Sequence, residues 1–182
     1  AAEAYVAEHA DTLGTEPVMR IASQLYKQDP EHAKEWANSL LTVDARRMAD
    51  ANIVFQISEN DPKAAGEWAA TLPDELRDRT LQIVISRWAR NDSHAVGEWI
   101  NGLNGAIRDE AVSAFSSTLA PSDPATALTW AASVSDPTRR SATVDRLVSG
   151  WLRRSPNDAK AWVQNSALPD QEKTRLLSLP GR

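Results

Sequence analysis

Cysteine is absent from this chain of 182 residues. That excludes disulfides, thiol nucleophiles and thiolate metal sites, though it does not place the protein in a compartment. Glycine is scarce, at seven residues, so backbone cradles for phosphate have little to be built from. No apolar run approaches the ~18 residues that a membrane span requires, so insertion into a membrane is not expected. Positive charge is not in excess: the net formal charge is −5. A protein that holds nucleic acid non-specifically needs a basic field to neutralise phosphates, so a nucleic-acid partner is not expected either. With 42% apolar and 25% charged residues, the composition is that of a folded chain and not of a disordered one.

What is present is unusual in one respect. Seven tryptophans stand against two phenylalanines and two tyrosines, and ten prolines interrupt a helix-friendly sequence. Both follow from a repeat. Trp36, Trp68, Trp99, Trp130 and Trp162 lie 32, 31, 31 and 32 residues apart, and Tyr5 stands 31 before Trp36. Seven positions before each tryptophan is Asp29, Asp61, Asp92, Asp123 or Ser155, followed by Pro30, Pro62, Ser93, Pro124 or Pro156. Small apolar residues, Ala33, Ala65, Val96, Ala127 and Ala159, stand three before; Leu40, Leu72, Leu103 and Val134 stand four after, and Ser166 breaks the series.

Each motif reads as a helix start. Asp or Ser accepts free N–H groups of the first turn as an N-cap, and proline fits the next position, where no N–H is needed. The small residue, the tryptophan and the leucine then share one face at i, i+3 and i+7. Turn residues follow, as at Leu72-Pro73-Asp74, Asn104-Gly105, Asp136-Pro137 and Leu168-Pro169-Asp170. In several units an aspartate there is placed to cap the next helix. A second helix is legible in Val18/Ile21/Ala22/Leu25, Leu81/Val84/Ile85/Trp88, Val112/Phe115/Ser116/Leu119 and Val144/Leu147/Val148/Trp151. The second unit has Ile53, Val54 and Ile57 in register, but Asp50 occupies its first apolar position. Strand signals are nearly absent.

The expected fold is therefore all-α, an α-solenoid of about six stacked antiparallel hairpins in one helical-repeat domain over residues 1–182. The expected units are 2–28, 29–60, 61–91, 92–122, 123–154 and 155–182. One hairpin cannot bury its own apolar face, so neighbours must stack. With axes ~8–10 Å apart, six units would form a curved rod roughly 50–60 Å long.

The segment Asp29-Pro30-Glu31-His32-Ala33-Lys34-Glu35-Trp36 resembles the junction between tetratricopeptide repeats, as do Asp61–Trp68 and Asp123–Trp130. The resemblance covers about eight residues of each unit. The leucine then falls four after the tryptophan instead of three, no glycine–tyrosine pair follows, and the period is shorter than the family's 34. This resemblance implies a right-handed superhelix whose first helices line a concave face that binds other proteins.

The tryptophans could serve as aromatic shelves for a ligand. A residue recurring in every unit is instead what stacking demands, so Trp36, Trp68, Trp99, Trp130 and Trp162 are read as structural, with Trp88 and Trp151 core by the same logic. Arginine outnumbers lysine fifteen to five, and Arg46/Arg47, Arg77/Arg79, Arg108, Arg139/Arg140 and Arg175 open the second helices. These could form a ladder for phosphate or carboxylate, but pairing with aspartates or covering of tryptophan faces is the expectation. Glu35, Glu67 and Glu98 precede three successive tryptophans; stacked in a row they could form an acidic stripe for a basic peptide, but a solvated helix face is the expectation.

Two positions after the tryptophans the residues vary: Asn38, Ala70, Asn101, Ala132 and Gln164. Variation at a fixed repeat position is what a partner-specific groove would show. Lys34, Asn38, Asn101, Lys160 and Gln164 are therefore the candidate binding residues. The net charge of −5 falls entirely in residues 1–91, so a basic partner would be drawn to that half.

Signals of catalysis are lacking. His9, His32 and His94 have no zinc-ligand spacing, and there is no Gly-x-Ser-x-Gly elbow, Ser-x-x-Lys pair or glycine-rich phosphate loop. No cofactor or metal is expected. Asn91-Asp92-Ser93 matches a glycosylation acceptor but is accounted for as a helix junction. The expectation is a non-catalytic protein-interaction scaffold that binds a peptide or partner helix along the first-helix groove. Beginning at Ala1, it is expected to be a processed product or part of a longer chain. The alternatives are a helical accessory domain of a larger enzyme, or a solenoid clasping nucleic acid through Arg139, Arg140, Arg146, Arg153 and Arg154.

Overall fold

A computed structural model describes residues 2–166 and 168–179; the ends of the last expected unit, 180–182, and Ala1 lie outside the described residues. Among these the chain forms thirteen α-helices and no strand. They divide into two compact units, Ala1–Trp88 and Ala89–Arg182.

The first unit contains α1 (Ala2–Glu8), α2 (Ala10–Leu13), α3 (Thr15–Gln28), α4 (Pro30–Ser39), α5 (Val43–Asn60), α6 (Pro62–Thr71) and most of α7 (Asp74–Asn91). In the first hairpin the leading helix is broken at His9, and Gly14, with φ +76°, turns the chain into α3. Helices α3 and α5 pack side by side; α4 lies against both, and α6 lies against α5. From α7, Arg87 reaches α5, stacking 4.2 Å over the Phe55 ring.

The second unit contains α8 (Ser93–Asn101), α9 (Gly105–Leu119), α10 (Pro124–Ala132), α11 (Pro137–Arg154), α12 (Pro156–Asn165) and α13 (Asp170–Leu177). Here α9, α11 and α13 pack in sequence as one layer, while α8, α10 and α12 lie on them as a second.

The leading helices begin where the repeat places them. Carboxylates of Asp29, Asp61, Asp92 and Asp123 accept backbone N–H groups of the first turn at 2.9–3.2 Å. Ser155 holds the same place before α12 but makes no side-chain cap bond. In the second helices, Asp136 does cap α11, bonding Arg139 N at 2.6 Å. Asp74 and Asp170 are instead the first helical residues of α7 and α13, and Thr42 caps α5. A carboxylate in the first turn still complements the helix dipole.

The repeat's small residues are its closest packing points. Ala33, Ala65, Val96, Ala127 and Ala159 are fully buried, as are Ala37, Ala69, Ile100, Ala131 and Val163, one residue after each tryptophan. Apart from Ile100, these side chains stop at Cβ or Cγ and let the short first helices sit close to the second-helix layer. The first helices also end alike. Hydroxyls of Ser39, Thr71 and Ser133, three after the tryptophan, donate to its carbonyl at 2.7–2.8 Å and satisfy an orphan acceptor of the last turn.

Asp50 sits inside the first unit. It takes the place that Val18, Leu81, Val112 and Val144 hold in the other hairpins, and neither carboxylate oxygen finds a hydrogen-bond partner. Burial pushes its carboxyl up to about 7, only partly countered by Arg46 one turn earlier, whose Nε is also buried and unpaired. Asp109 is buried differently: its carboxylate accepts Ser135 N and Asp136 N, both at 2.8 Å, and so fixes the loop between α10 and α11.

Candidate functional site

The recurrent opening of the surface lies between successive first helices, and it is built the same way three times. In the first unit the cleft between α4 and α6 encloses about 510 Å³, with Lys34 and Trp68 meeting at its floor. In the second unit the α8/α10 cleft of about 400 Å³ has Gly97 and Trp130, and the α10/α12 cleft of about 600 Å³ has Leu128 and Trp162. Each pair joins the residue two before one tryptophan to the tryptophan of the following hairpin.

That contact follows from the geometry of the repeat. Trp36 donates its Nε1 to Glu3 O at 3.2 Å, and Glu3 stands two before Tyr5, the aromatic of the first hairpin. Lys34 Nζ lies 5.8 Å from the Trp68 ring centroid, a cation–π contact. The Trp130 ring approaches Gly97 so closely that a Cβ there would stand 3.3 Å from Cζ2. Phe115 meets the same ring edge-on, with centroids 5.3 Å apart. Trp36, Trp68 and Trp130 each touch the preceding hairpin, and Trp130 and Trp162 are half-buried where the clefts open.

Around these floors the walls differ. Glu31, Glu35, Asn38, Glu67 and Thr71 border the first cleft. Some charge there is already matched, since Lys34 pairs with Glu31 at 2.8 Å and Lys63 reaches Glu67 at 3.6 Å. His94, Glu98, Asn101, Asp123 and Thr126 border the second. His94 lies 3.9 Å from Glu98, and hydrogen bonding from Thr126, its side chain first and its backbone N–H second, holds the Asp123 carboxyl below its usual range. The third is bordered by Thr129, Ala132, Ala161, Asn165 and Leu168, with no charged side chain.

Of the candidate binding residues, Lys34 and Asn38 come together in the α4/α6 cleft and Asn101 lines the α8/α10 cleft. Lys160 and Gln164 are exposed on α12 but line none of the three; Gln164 instead offers its carbonyl to Lys173 Nζ at 3.1 Å. Glu35, Glu67 and Glu98 are wall residues, a role that their register one before the tryptophan could have signalled. Gly97 and Leu128 were not legible as cleft residues, because their partner lies a full repeat away.

The arginines that open the second helices serve chiefly within the hairpins. Arg46, Arg77 and Arg140 donate to Asn38 O, Leu72 O and Val134 O near the ends of their own first helices. They complete acceptors that a helix C-terminus leaves unpaired. Arg108 reaches Ser133 O of the following hairpin at 2.8 Å. Arg175 grips both oxygens of Asp145 at 2.6 Å and Glu172 at 2.6 Å, tying α13 to α11, and these bonds raise its already high pKa. In the basic stretch, Arg139 lies 3.7 Å from Glu110, Arg146 bonds Ser117 Oγ and Arg154 bonds Ala120 O.

Among the described residues, no group of three His, Asp or Glu side chains is placed to hold a metal ion, and no helix is long and apolar enough to cross a membrane. No protein-family model, curated protein or solved structure matches the chain.

Proposed function

We propose that the protein is a non-catalytic interaction scaffold that takes a peptide or partner helix in the clefts between its first helices. The observation that carries this reading is the contrast within each cleft. The floor is a repeated contact between a tryptophan and the preceding hairpin, whereas the walls change from Glu35/Asn38/Glu67 to Glu98/Asn101 to Thr129/Ala132/Ala161. A constant tryptophan with a changing rim is the pattern of a frame that holds its aromatic in place and fits its walls to a partner. In the second unit, half-buried Trp130 and Trp162 beside polar walls are also the surface chemistry that protein interfaces favour, since an aromatic ring offers apolar area at little cost in side-chain entropy.

The test is selection of random dodecapeptides displayed on phage against the whole chain. Enriched peptides should bind the wild type and lose at least tenfold in affinity to the Asn38→Lys/Asn101→Lys variant. The Lys160→Glu/Gln164→Lys variant, altered outside the clefts, should bind them as the wild type does. Selection that yields no binder, or binders indifferent to Asn38 and Asn101, contradicts the reading.

A further inference from the structure

Two clefts of opposite chemistry flank α10. At 100° per residue, Thr126 and Trp130 face the α8 side, while Leu128, Thr129 and Ala132 face the α12 side. On the α8 side stand the carboxylates of Glu98 and Asp123, with His94 as the only basic side chain among the lining residues. Across the helix the floor is Leu128, Trp162 and Leu168, with the methyls of Ala132 and Ala161, and no charge lines it. The crest that separates the clefts is made of Thr126 and Thr129, both exposed and short, while at the far end of α10 Arg108 sits on Ser133. A chain can therefore cross α10 without a large side chain in its way.

From this complementarity we infer that the second unit reads a bipartite peptide, an apolar residue seated in the α10/α12 cleft and a basic residue in the α8/α10 cleft. The inference rests on the scaffold reading above and gives its partner a chemistry. The spacing follows from dimensions: a helix with its side chains is ~10 Å across, and an extended chain advances ~3.3 Å per residue, so the two residues stand three apart. Arginine suits the acidic cleft because its planar fork can engage a carboxylate with two donors. An acidic residue at that place would meet Glu98 and Asp123 and be repelled. A leucine or aromatic side chain matches a cleft whose floor is leucine, methyl and ring face, with neutral Thr129, Asn165 and Ser166 at its border.

The experiment titrates the full 15N-labelled chain with acetyl-Gly-Leu-Ser-Ser-Arg-Gly-amide and follows the indole N–H signals of Trp130 and Trp162. Both signals should shift on one binding curve. Replacing Arg by Glu, or Leu by Ser, in the peptide should weaken binding at least fivefold. Glu98→Gln should weaken the Arg peptide yet leave the Glu peptide no worse, and Ala161→Glu should act through the leucine. Equal affinity for the Arg and Glu peptides, or shifts that spare these two indoles, overturns the inference. If these peptides fail while phage-selected peptides still bind at the clefts, the bipartite preference is wrong and the scaffold reading stands. If no selected peptide binds either, the scaffold reading falls with it.

Discussion

The ring of Trp130 lies against Gly97, thirty-three residues earlier, so closely that a methyl group on Gly97 would stand 3.3 Å from Cζ2. Gly97 is fully inside a helix, where glycine costs about 1 kcal/mol relative to alanine. The contact explains its presence. Gly97→Ala should be close to neutral, since the half-exposed ring can tilt a few tenths of an ångström while the helix gains propensity. Gly97→Leu should destabilise by roughly 1–3 kcal/mol through overpacking, despite leucine's better propensity. Urea unfolding of both variants decides it; a stabilised Gly97→Leu would show that the ring is not held there.

Asp50 gives a second expectation, with its sign fixed by burial. Its carboxyl is raised to about 7 in the folded chain from 3.8. A raised carboxyl favours the protonated form on folding, so stability is fully retained below pH 3.8, declines as pH rises and levels off above about 7. Asp50→Leu, restoring the residue type of the other hairpins, should stabilise the protein more at pH 8 than at pH 5, by on the order of 3 kcal/mol. Urea unfolding at the two pH values measures the difference. An equal gain at both would mean that burial does not raise the Asp50 carboxyl.

His32 Nε2 donates to the Glu3 carboxylate at 3.0 Å, and that hydrogen bond raises its pKa above 6.5. The contribution of this pair to folding is present below pH 6.5 and lost as pH rises through the folded value. Glu3→Gln should return the histidine toward its ordinary value in a proton NMR titration. An unchanged titration would mean that α1 does not lie on α4 in solution.

The caps offer a comparison inside one chain. Asp123→Ala should cost about 1 kcal/mol, because the carboxylate satisfies the Thr126 N–H at 3.0 Å. Ser155→Ala, at the same register but without a cap bond, should cost less than half as much. Asp123's lowered pKa gives its contribution the opposite pH sense to that of Asp50: present above 3.8 and lost as pH falls through the folded value. Chemical denaturation at pH 7 and pH 3 tests both statements.

Much of the architecture is legible in the sequence because it rests on short-range chemistry. Asp61 followed by Pro62 marks a helix start with near certainty, and Ala65, Trp68 and Leu72 mark its buried face. The hairpin units and the second-helix faces follow from the same periodicity. What could not be read is contact between units of the repeat. The approach of Trp68 to Lys34 and of Trp130 to Gly97 depends on how far one hairpin is displaced from the next, and no local pattern encodes that. Hence Lys34 looks like a free groove residue in sequence and proves to sit over a ring. Lys160 shares its register, and Gln164 that of Asn38, but their unit has no following tryptophan among the described residues. The buried Asp50 was visible as a break in the apolar series, though its lack of any partner was not.

The most direct test of the account is a footprint of a phage-selected peptide on the protein by amide chemical-shift mapping. The account predicts that the largest changes fall on cleft walls: Asn38, Glu67 and Thr71 in the first unit, and Asn101, Thr126, Thr129 and Asn165 in the second. Changes confined to the second-helix surface, around Arg47, Arg87 and Arg146, would contradict it and place the binding face on the other layer.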